Sequence, residues 1–238
     1  MTQLPFEQFP ALSAIGTCRH AFTQRIPGID VSDDKAEVLK RLDAAHREIR
    51  NATGFGDWPL YTAEQVHGNN IAVIDQVGLA LRADRGRRRA PSLQGCEFAA
   101  CDGIITNQPG VALGIYVADC CGVYIVDPTT PAIGLVHSGR KGTELGVVTN
   151  AVTQIIDRFG SDPTNLLVQL SPCIRPPHYE VDFVSEIIRQ CRALGVQQMH
   201  DCGTCTACDL GRYYSYRAEK GKTGRMLAVL GLEPMIAT

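Results

Sequence analysis

Three short segments carry the side-chain types that hold a transition metal: Gln65-Val66-His67-Gly68, Ala118-Asp119-Cys120 and His137-Ser138-Gly139-Arg140-Lys141-Gly142. Each sets a metal-competent group beside a glycine or at the expected end of a strand. Two imidazoles and one thiolate, from His67, His137 and Cys120, make a plausible three-ligand zinc site whose remaining position takes a water, and such an open site has catalytic character. The three ligands are far apart in the chain and share no finger-like local spacing, so only the fold can bring them together. The competing reading puts Cys120 in the core, where free cysteine commonly sits, with each histidine satisfied by a backbone carbonyl.

A second set is Cys202-x2-Cys205-x2-Cys208, whose spacing resembles the first three ligands of a ferredoxin-type cluster. The fourth cysteine and its proline are missing, and Asp209-Leu210-Gly211 follows instead. An iron–sulfur or second zinc site there competes with plain reduced thiols. The ten cysteines in 238 residues fall below the density of a disulfide-stapled scaffold. The start, Met1-Thr2-Gln3-Leu4-Pro5-Phe6-Glu7, lacks the charged and apolar regions of a secretory signal, so reduced thiols and a cytoplasmic location are expected.

The elements that must position these groups are legible in part. A helix is expected from the Ser32-Asp33-Asp34 cap, with Glu37 three residues after Asp34 as in a capping box, to Gly54. Ile71 to Asp75 reads as a strand just beyond His67-Gly68. Val111 to Val117, Val123 to Val126 and Ala132 to Val136 read as closely connected strands, which puts Cys120 and His137 at strand ends. A second helix is expected over Leu145, Val148, Val152, Ile155 and Phe159, closed by Gly160, and a third over Val184, Ile187, Cys191 and Leu194, closed by Gly195. Strands are expected at Asn165 to Leu170, Tyr213 to Arg217 and Met226 to Leu230. These elements predict one α+β domain over residues 1–238, with mixed sheets flanked by helices in layers.

Composition narrows the function. With 45% hydrophobic and 20% charged residues the chain can bury a substantial core. The longest apolar runs, Val111 to Val117 and Leu227 to Leu232, are far short of the roughly 18 residues of a membrane helix. A net charge of −2 gives no general attraction to nucleic acid or anionic lipid. The arginine-rich stretch from Arg82 to Arg89 lacks interleaved aromatics and reads as an exposed loop.

The three metal-competent segments, in this order, resemble the multicopper polyphenol oxidase or laccase-domain family, whose members are also described as purine nucleoside phosphorylases. The resemblance extends to His20-Ala21-Phe22-Thr23-Gln24-Arg25, Asp102-Gly103-Ile104-Ile105-Thr106, Tyr179-Glu180-Val181, Cys205-Thr206, Tyr214-Ser215-Tyr216-Arg217 and Thr223-Gly224-Arg225. It implies a layered fold similar to the catalytic domain of cytotoxic necrotizing factors. It also implies one zinc, with copper as the alternative, on His67, Cys120 and His137. The implied activity is cleavage of purine nucleosides, including adenosine, inosine and methylthioadenosine, by phosphate to free base and sugar 1-phosphate, together with adenosine deamination. Nucleosides and phosphate are then the expected partners.

For phosphorolysis, Arg25, Lys141 and the Gly139 and Gly142 amides are the candidate phosphate contacts, Lys141 foremost because it aligns with the family's arginine. Asp119 and Asp102 are candidates to orient a ligand or the site, or simply to cap turns. Arg140-Lys141 replaces the family's Trp-Arg, so positive charge is kept while an aromatic wall is lost. Cys121-Gly122 replaces the usual residue-plus-proline, adding a second thiol beside Cys120. Two rival readings are copper-dependent phenol oxidation and a metal-free cysteine hydrolase or peptidoglycan-precursor editing factor with Cys120 as nucleophile and His137 as base. Multicopper chemistry needs several histidine-rich sites. Of six histidines, His20, His46, His178 and His200 remain after the trio, and these look too few and too scattered.

Overall fold

The computed structural model describes residues 4–75 and 96–234. The Arg82 to Arg89 stretch lies outside the described residues. Two six-stranded mixed sheets stack face to face. In chain order the strands are β1 (Phe6–Glu7), β2 (Cys18–Thr23), β3 (Leu60–Ala63), β4 (Ile71–Ile74), β5 (Glu97–Phe98) and β6 (Gly103–Thr106). They continue with β7 (Ala112–Val117), β8 (Cys121–Asp127), β9 (Ala132–Ser138), β10 (Leu167–Leu170), β11 (Gln198–Asp201) and β12 (Met226–Leu232). The first sheet runs β1-β2-β12-β7-β3-β5 and the second β11-β10-β8-β9-β6-β4. Five helices accompany them: α1 (Pro10–Ser13), α2 (Lys35–Ala52), α3 (Arg140–Glu144), α4 (Val147–Phe159) and α5 (Phe183–Ala193). The α+β class expected from the sequence is observed. Among the described residues no helix is long and apolar enough to cross a membrane.

Alternation along the central strands explains why they read as unbroken apolar runs. Ile104, Tyr124, Val126, Ile133 and Leu135 of the second sheet face Leu113, Ile115, Ala228 and Leu230 of the first. Their neighbours Ile105, Val123, Ile125 and Val136 pack on the other side against Val148, Val152 and Ile155 of α4 and Val184 and Ile187 of α5. A sheet buried on both faces leaves no polar side to mark a two-residue period. The layers are also tied by a hydrogen bond, because the buried Tyr124 hydroxyl of β8 donates to the Ala21 carbonyl of β2 at 2.8 Å.

The expected helices form, with one boundary moved. Asp34 caps α2 by accepting the Glu37 amide at 3.0 Å. Left-handed glycines bracket α4, Gly146 at φ 73° and Gly160 at φ 74°. Gly146 separates α4 from α3, so Leu145 lies outside the helix and stays 47% exposed. The strand expected at Tyr213 to Arg217 does not form. Backbone amides there bond to side chains instead of a neighbouring strand: Tyr214 to the Met226 sulfur, Ser215 to Glu219 and Arg217 to Asp119. The result is a turn that presents Tyr216 and Arg217 to solvent. Replacing Asp34 by Ala removes a helix cap worth about 1 kcal/mol. Urea unfolding of Asp34→Ala is expected to show that loss with an unchanged denaturant slope.

Candidate active site and metal centre

The three predicted ligands converge. The ligand atoms of His67, Cys120 and His137 lie within 4.8 Å of one another, with Cys120 Sγ 3.8 Å from His67 Nε2. A tetrahedral zinc at about 2.3 Å from sulfur and about 2.0 Å from nitrogen sets such atoms roughly 3.6 Å apart. The separation found therefore fits one zinc-sized ion. When bound, that ion would supply a Lewis acid on the cleft lining.

Asp102, fully buried, holds the two histidines in place. Its Oδ1 accepts the His67 amide at 2.8 Å and faces His137 Nδ1 at 2.9 Å, while its Oδ2 accepts the Gly68 amide at 2.7 Å. Its own carbonyl accepts the His137 amide at 2.7 Å. Because a carboxylate only accepts, Nδ1 of His137 carries the proton and Nε2 is left for Cys120 or a metal. His67 at φ 60°, Gln65 at φ 65° and Asp119 at φ 80° are left-handed. Non-glycine residues adopt that conformation only when their surroundings over-determine it. For Gln65 the constraint is visible: its side-chain amide pairs with both backbone groups of Tyr116.

The electrostatics favour an ionised thiol. Desolvation works against charge on Cys120, yet the positive charge of His137 and hydrogen bonds from His137 and His67 outweigh it and lower the thiol to about 6. On His137 desolvation is again the largest influence, and the Cys120 thiolate and Asp102 overcome it to raise the imidazole to about 9. Burial also opposes the Asp102 charge, but His137 and the Gly68 and His67 amides hold its carboxyl below the ordinary range. Gly139 is required for close approach: a Cβ there would lie 2.5 Å from Cys120 Sγ.

The trio opens onto a cleft of about 670 Å³. Five cations line it, Lys35, Arg140, Arg217, Lys220 and Arg225, together with Tyr116, Tyr179, Phe183 and Tyr216. Arg217 lies over the Tyr179 ring and Arg225 over the Tyr216 ring. Desolvation, then the charge of Arg225, pull the Lys35 ammonium below its ordinary range. An anion bound between these two cations relieves that repulsion.

The chain matches the family described as multi-copper polyphenol oxidoreductase laccase over residues 13–188 and 178–233. It belongs to that family. Among curated relatives it is 25% identical to purine nucleoside phosphorylase YlmD of Bacillus subtilis, over 92% of this chain and 85% of that one. The identity to the YlmD of Geobacillus stearothermophilus is 28%, over 91% of this chain and 86% of that one. The crystal structure of the Geobacillus stearothermophilus YlmD covers 98% of this chain and 100% of its own at a TM-score of 0.76 and 23% identity, which shows a shared fold.

The other sequence candidates are placed differently from the trio. Asp119 lines the cleft, but its Oδ1 accepts the Thr206 and Ser215 hydroxyls at 2.8 and 2.7 Å, and its Oδ2 accepts the Arg217 amide at 2.6 Å. It ties three segments of the cleft wall together. Arg25 is not brought to the cleft. Its guanidinium is taken by Glu219 at 2.7 Å and the Tyr213 carbonyl at 3.0 Å, and it lies over the Tyr214 ring. That arrangement braces the turn carrying Tyr216, Arg217 and Lys220. Lys141 is exposed on α3 and is absent from the cleft wall, where Arg140 stands instead, because successive helical side chains point about 100° apart. Cys121 turns fully into the core, away from Cys120, as adjacent strand residues do. Gly142 is buried against the Gly68 carbonyl. Lys35, Lys220 and Arg225 were not singled out as anion contacts by sequence; only Arg225 lay in a motif, the Thr223-Gly224-Arg225 segment.

The perturbed thiol gives a direct test. In metal-free protein, alkylation of Cys120 by iodoacetamide should rise as pH increases through about 6 and then level off. Buried Cys18 and Cys191, both pushed up to about 12 by desolvation, serve as unreactive controls in peptide mass spectrometry. In His137→Ala the midpoint should move upward, because the charge lowering the thiol is gone and desolvation remains. A midpoint unmoved from that of an ordinary thiol in the parent protein would refute the thiolate–imidazolium pair.

Proposed function

We propose that this chain is a zinc-dependent purine nucleoside phosphorylase that also deaminates adenosine. The observation that carries the reading is the meeting of a two-histidine, one-cysteine trio with a cleft lined by cations and flat aromatic rings. His67, Cys120 and His137 would hold the metal, with zinc favoured over copper oxidation because phenol oxidation calls for several histidine-rich sites. The names of the curated relatives support the phosphorylase class.

The chain's own groups have separable tasks. Lys35 and Arg225, two of the cations lining the cleft, bind the phosphate dianion and offset its charge as it approaches the sugar. Tyr179 and Tyr216, each backed by an arginine, offer flat surfaces on which a purine stacks. His137, protonated on Nδ1 against Asp102, keeps its orientation while charge develops on the departing base. Asp119 acts through the loops it ties and is a positioning residue. The ten free thiols support a reducing, cytoplasmic setting.

A second reading has one specific observation behind it: Cys120, His137 and Asp102 are arranged as nucleophile, base and orienting acid. A cysteine hydrolase has no use for His67, however, and this residue is held left-handed with its Nε2 toward the same sulfur. The metal reading accounts for all three groups.

The deciding experiment measures metal content, then incubates the loaded protein with adenosine, inosine or methylthioadenosine, with and without phosphate. Free base and sugar 1-phosphate should appear only with phosphate, and inosine should form from adenosine. A chelator should abolish both activities and expose Cys120 to iodoacetamide, whereas a hydrolase keeps its activity. Failure of metal-loaded protein to release any base or inosine refutes the proposal. Arg225→Ala should raise KM for phosphate by about tenfold or more, since a charge-assisted hydrogen bond is worth about 1.5–3 kcal/mol. Initial rates against phosphate concentration would show it.

A further inference from the structure

A second group of metal-competent side chains lies behind one wall of the cleft. His178 Nδ1 is 3.5 Å from Cys208 Sγ and 3.8 Å from Cys205 Sγ. The three ligand atoms lie within 4.8 Å of one another. Cys205 is buried, and His178 and Cys208 are exposed. The spacing of the cysteines produces this arrangement. Cys205 caps the short 3-10 helix Thr206–Cys208, in which residues three apart eclipse, so both sulfurs face the same way. Cys202 lies before that turn and is not part of the group, which removes the ferredoxin-like reading of the three-cysteine run. His178, set aside as scattered on sequence grounds, takes the missing place.

We propose that His178, Cys205 and Cys208 form a second zinc site, distinct from the trio in the cleft. Two observations carry it. First, both sulfurs converge on one imidazole nitrogen, which has a single lone pair and accepts only one S–H hydrogen bond, whereas an ion at the centre satisfies all three atoms at once. Second, the two separations bracket the roughly 3.6 Å expected between sulfur and nitrogen around a tetrahedral zinc. On binding, the two thiols release their protons to solvent and the thiolates and Nδ1 bond to the ion, with water in the fourth position.

The site has a place in the architecture. The Thr206 amide bonds to the Cys173 carbonyl, and the Thr206 hydroxyl donates to Asp119 on the cleft wall. On the other side, His178 is followed by Tyr179, which lines the cleft, and by Glu180, which pairs with Arg217 at 3.0 Å. An ion here staples the loop carrying Tyr179 to the turn that Asp119 holds.

The test is zinc stoichiometry by elemental analysis in the presence of a phosphine reductant, on the parent chain and on His178→Gln and Cys208→Ser. Both substitutions are at exposed positions, and circular dichroism checks that each variant is folded. Each is expected to bind one zinc fewer per chain than the parent. Because the reading is a difference, it holds whether or not the cleft trio binds metal. Cobalt(II) provides an independent signature: in Cys120→Ser, where the cleft trio contributes no thiolate, sulfur-to-cobalt absorption from two thiolates should be present, and adding Cys208→Ser to that variant should sharply reduce it. Unchanged stoichiometry in both variants, or cobalt absorption untouched by Cys208→Ser, overturns the proposal.

Discussion

Asp102 divides one carboxylate among donors from two distant segments, the amides of His67 and Gly68 and the imidazole of His137. A histidine in the loop between β3 and β4 and one near the end of β9 do not meet by backbone geometry alone. They need a shared acceptor that fixes both rings. The neighbouring strands supply it: Asp102 directly precedes β6, whose flanking strands β4 and β9 follow His67-Gly68 and end just past His137. A buried anion with fewer partners would be costly, so the hydrogen bonds that aim the histidines are also those that let the acid be buried ionised. Orientation of the ligands and burial of the charge are one constraint.

Asp119 repeats the device beside Cys120. It carries no metal-competent neighbour except Cys120, yet its carboxylate gathers Thr206, Ser215 and Arg217, and its carbonyl accepts the Ile174 amide. These contacts draw together the loops after β10, β11 and the short helix. Two buried acids thus organise the lining of the cleft, Asp119 next to Cys120 in the chain and Asp102 bonded to His137. Two carboxylates that sequence alone left open between site and turn are both structural organisers of the site.

Much of this was readable before the fold was known. The convergence of His67, Cys120 and His137 was foreshadowed because each stands next to a glycine or a strand end, and α2 because Asp34 and Glu37 write a cap into the sequence. What resisted reading has physical causes. The segment Tyr213 to Arg217 has strand-like residue types, but its amides are taken by side chains, a tertiary fact with no local mark. Strands β3 and β11 are four residues each and, unlike the equally short β4 and β10, carry mixed residue types (Leu60-Tyr61-Thr62-Ala63 and Gln198-Met199-His200-Asp201) with no apolar run to mark them. Arg25 and Lys141 were expected at phosphate, Lys141 foremost because it aligns with the arginine of the family it resembles. The partner that removes Arg25, Glu219, is almost two hundred residues away, and Lys141 and Arg140 differ only by one helical step. The cleft cations Lys35 and Arg225 come from opposite ends of the chain.

The exchange of the family's Trp-Arg for Arg140-Lys141 takes on a different meaning in the cleft. Arg140 stays on the wall and is paired with Glu144 at 2.9 Å, so the position still offers a planar cation although Lys141 points elsewhere. Flat surface comes from Tyr179 and Tyr216, whose rings lie under Arg217 and Arg225 at 5.5 and 5.7 Å. Arginine over an aromatic ring presents a charged, delocalised plane with several N–H donors, whereas tryptophan is neutral and has a single N–H to donate. Loss of one indole therefore leaves the cleft its stacking surface while adding charge. The substitution leaves the trio that Asp102 organises untouched.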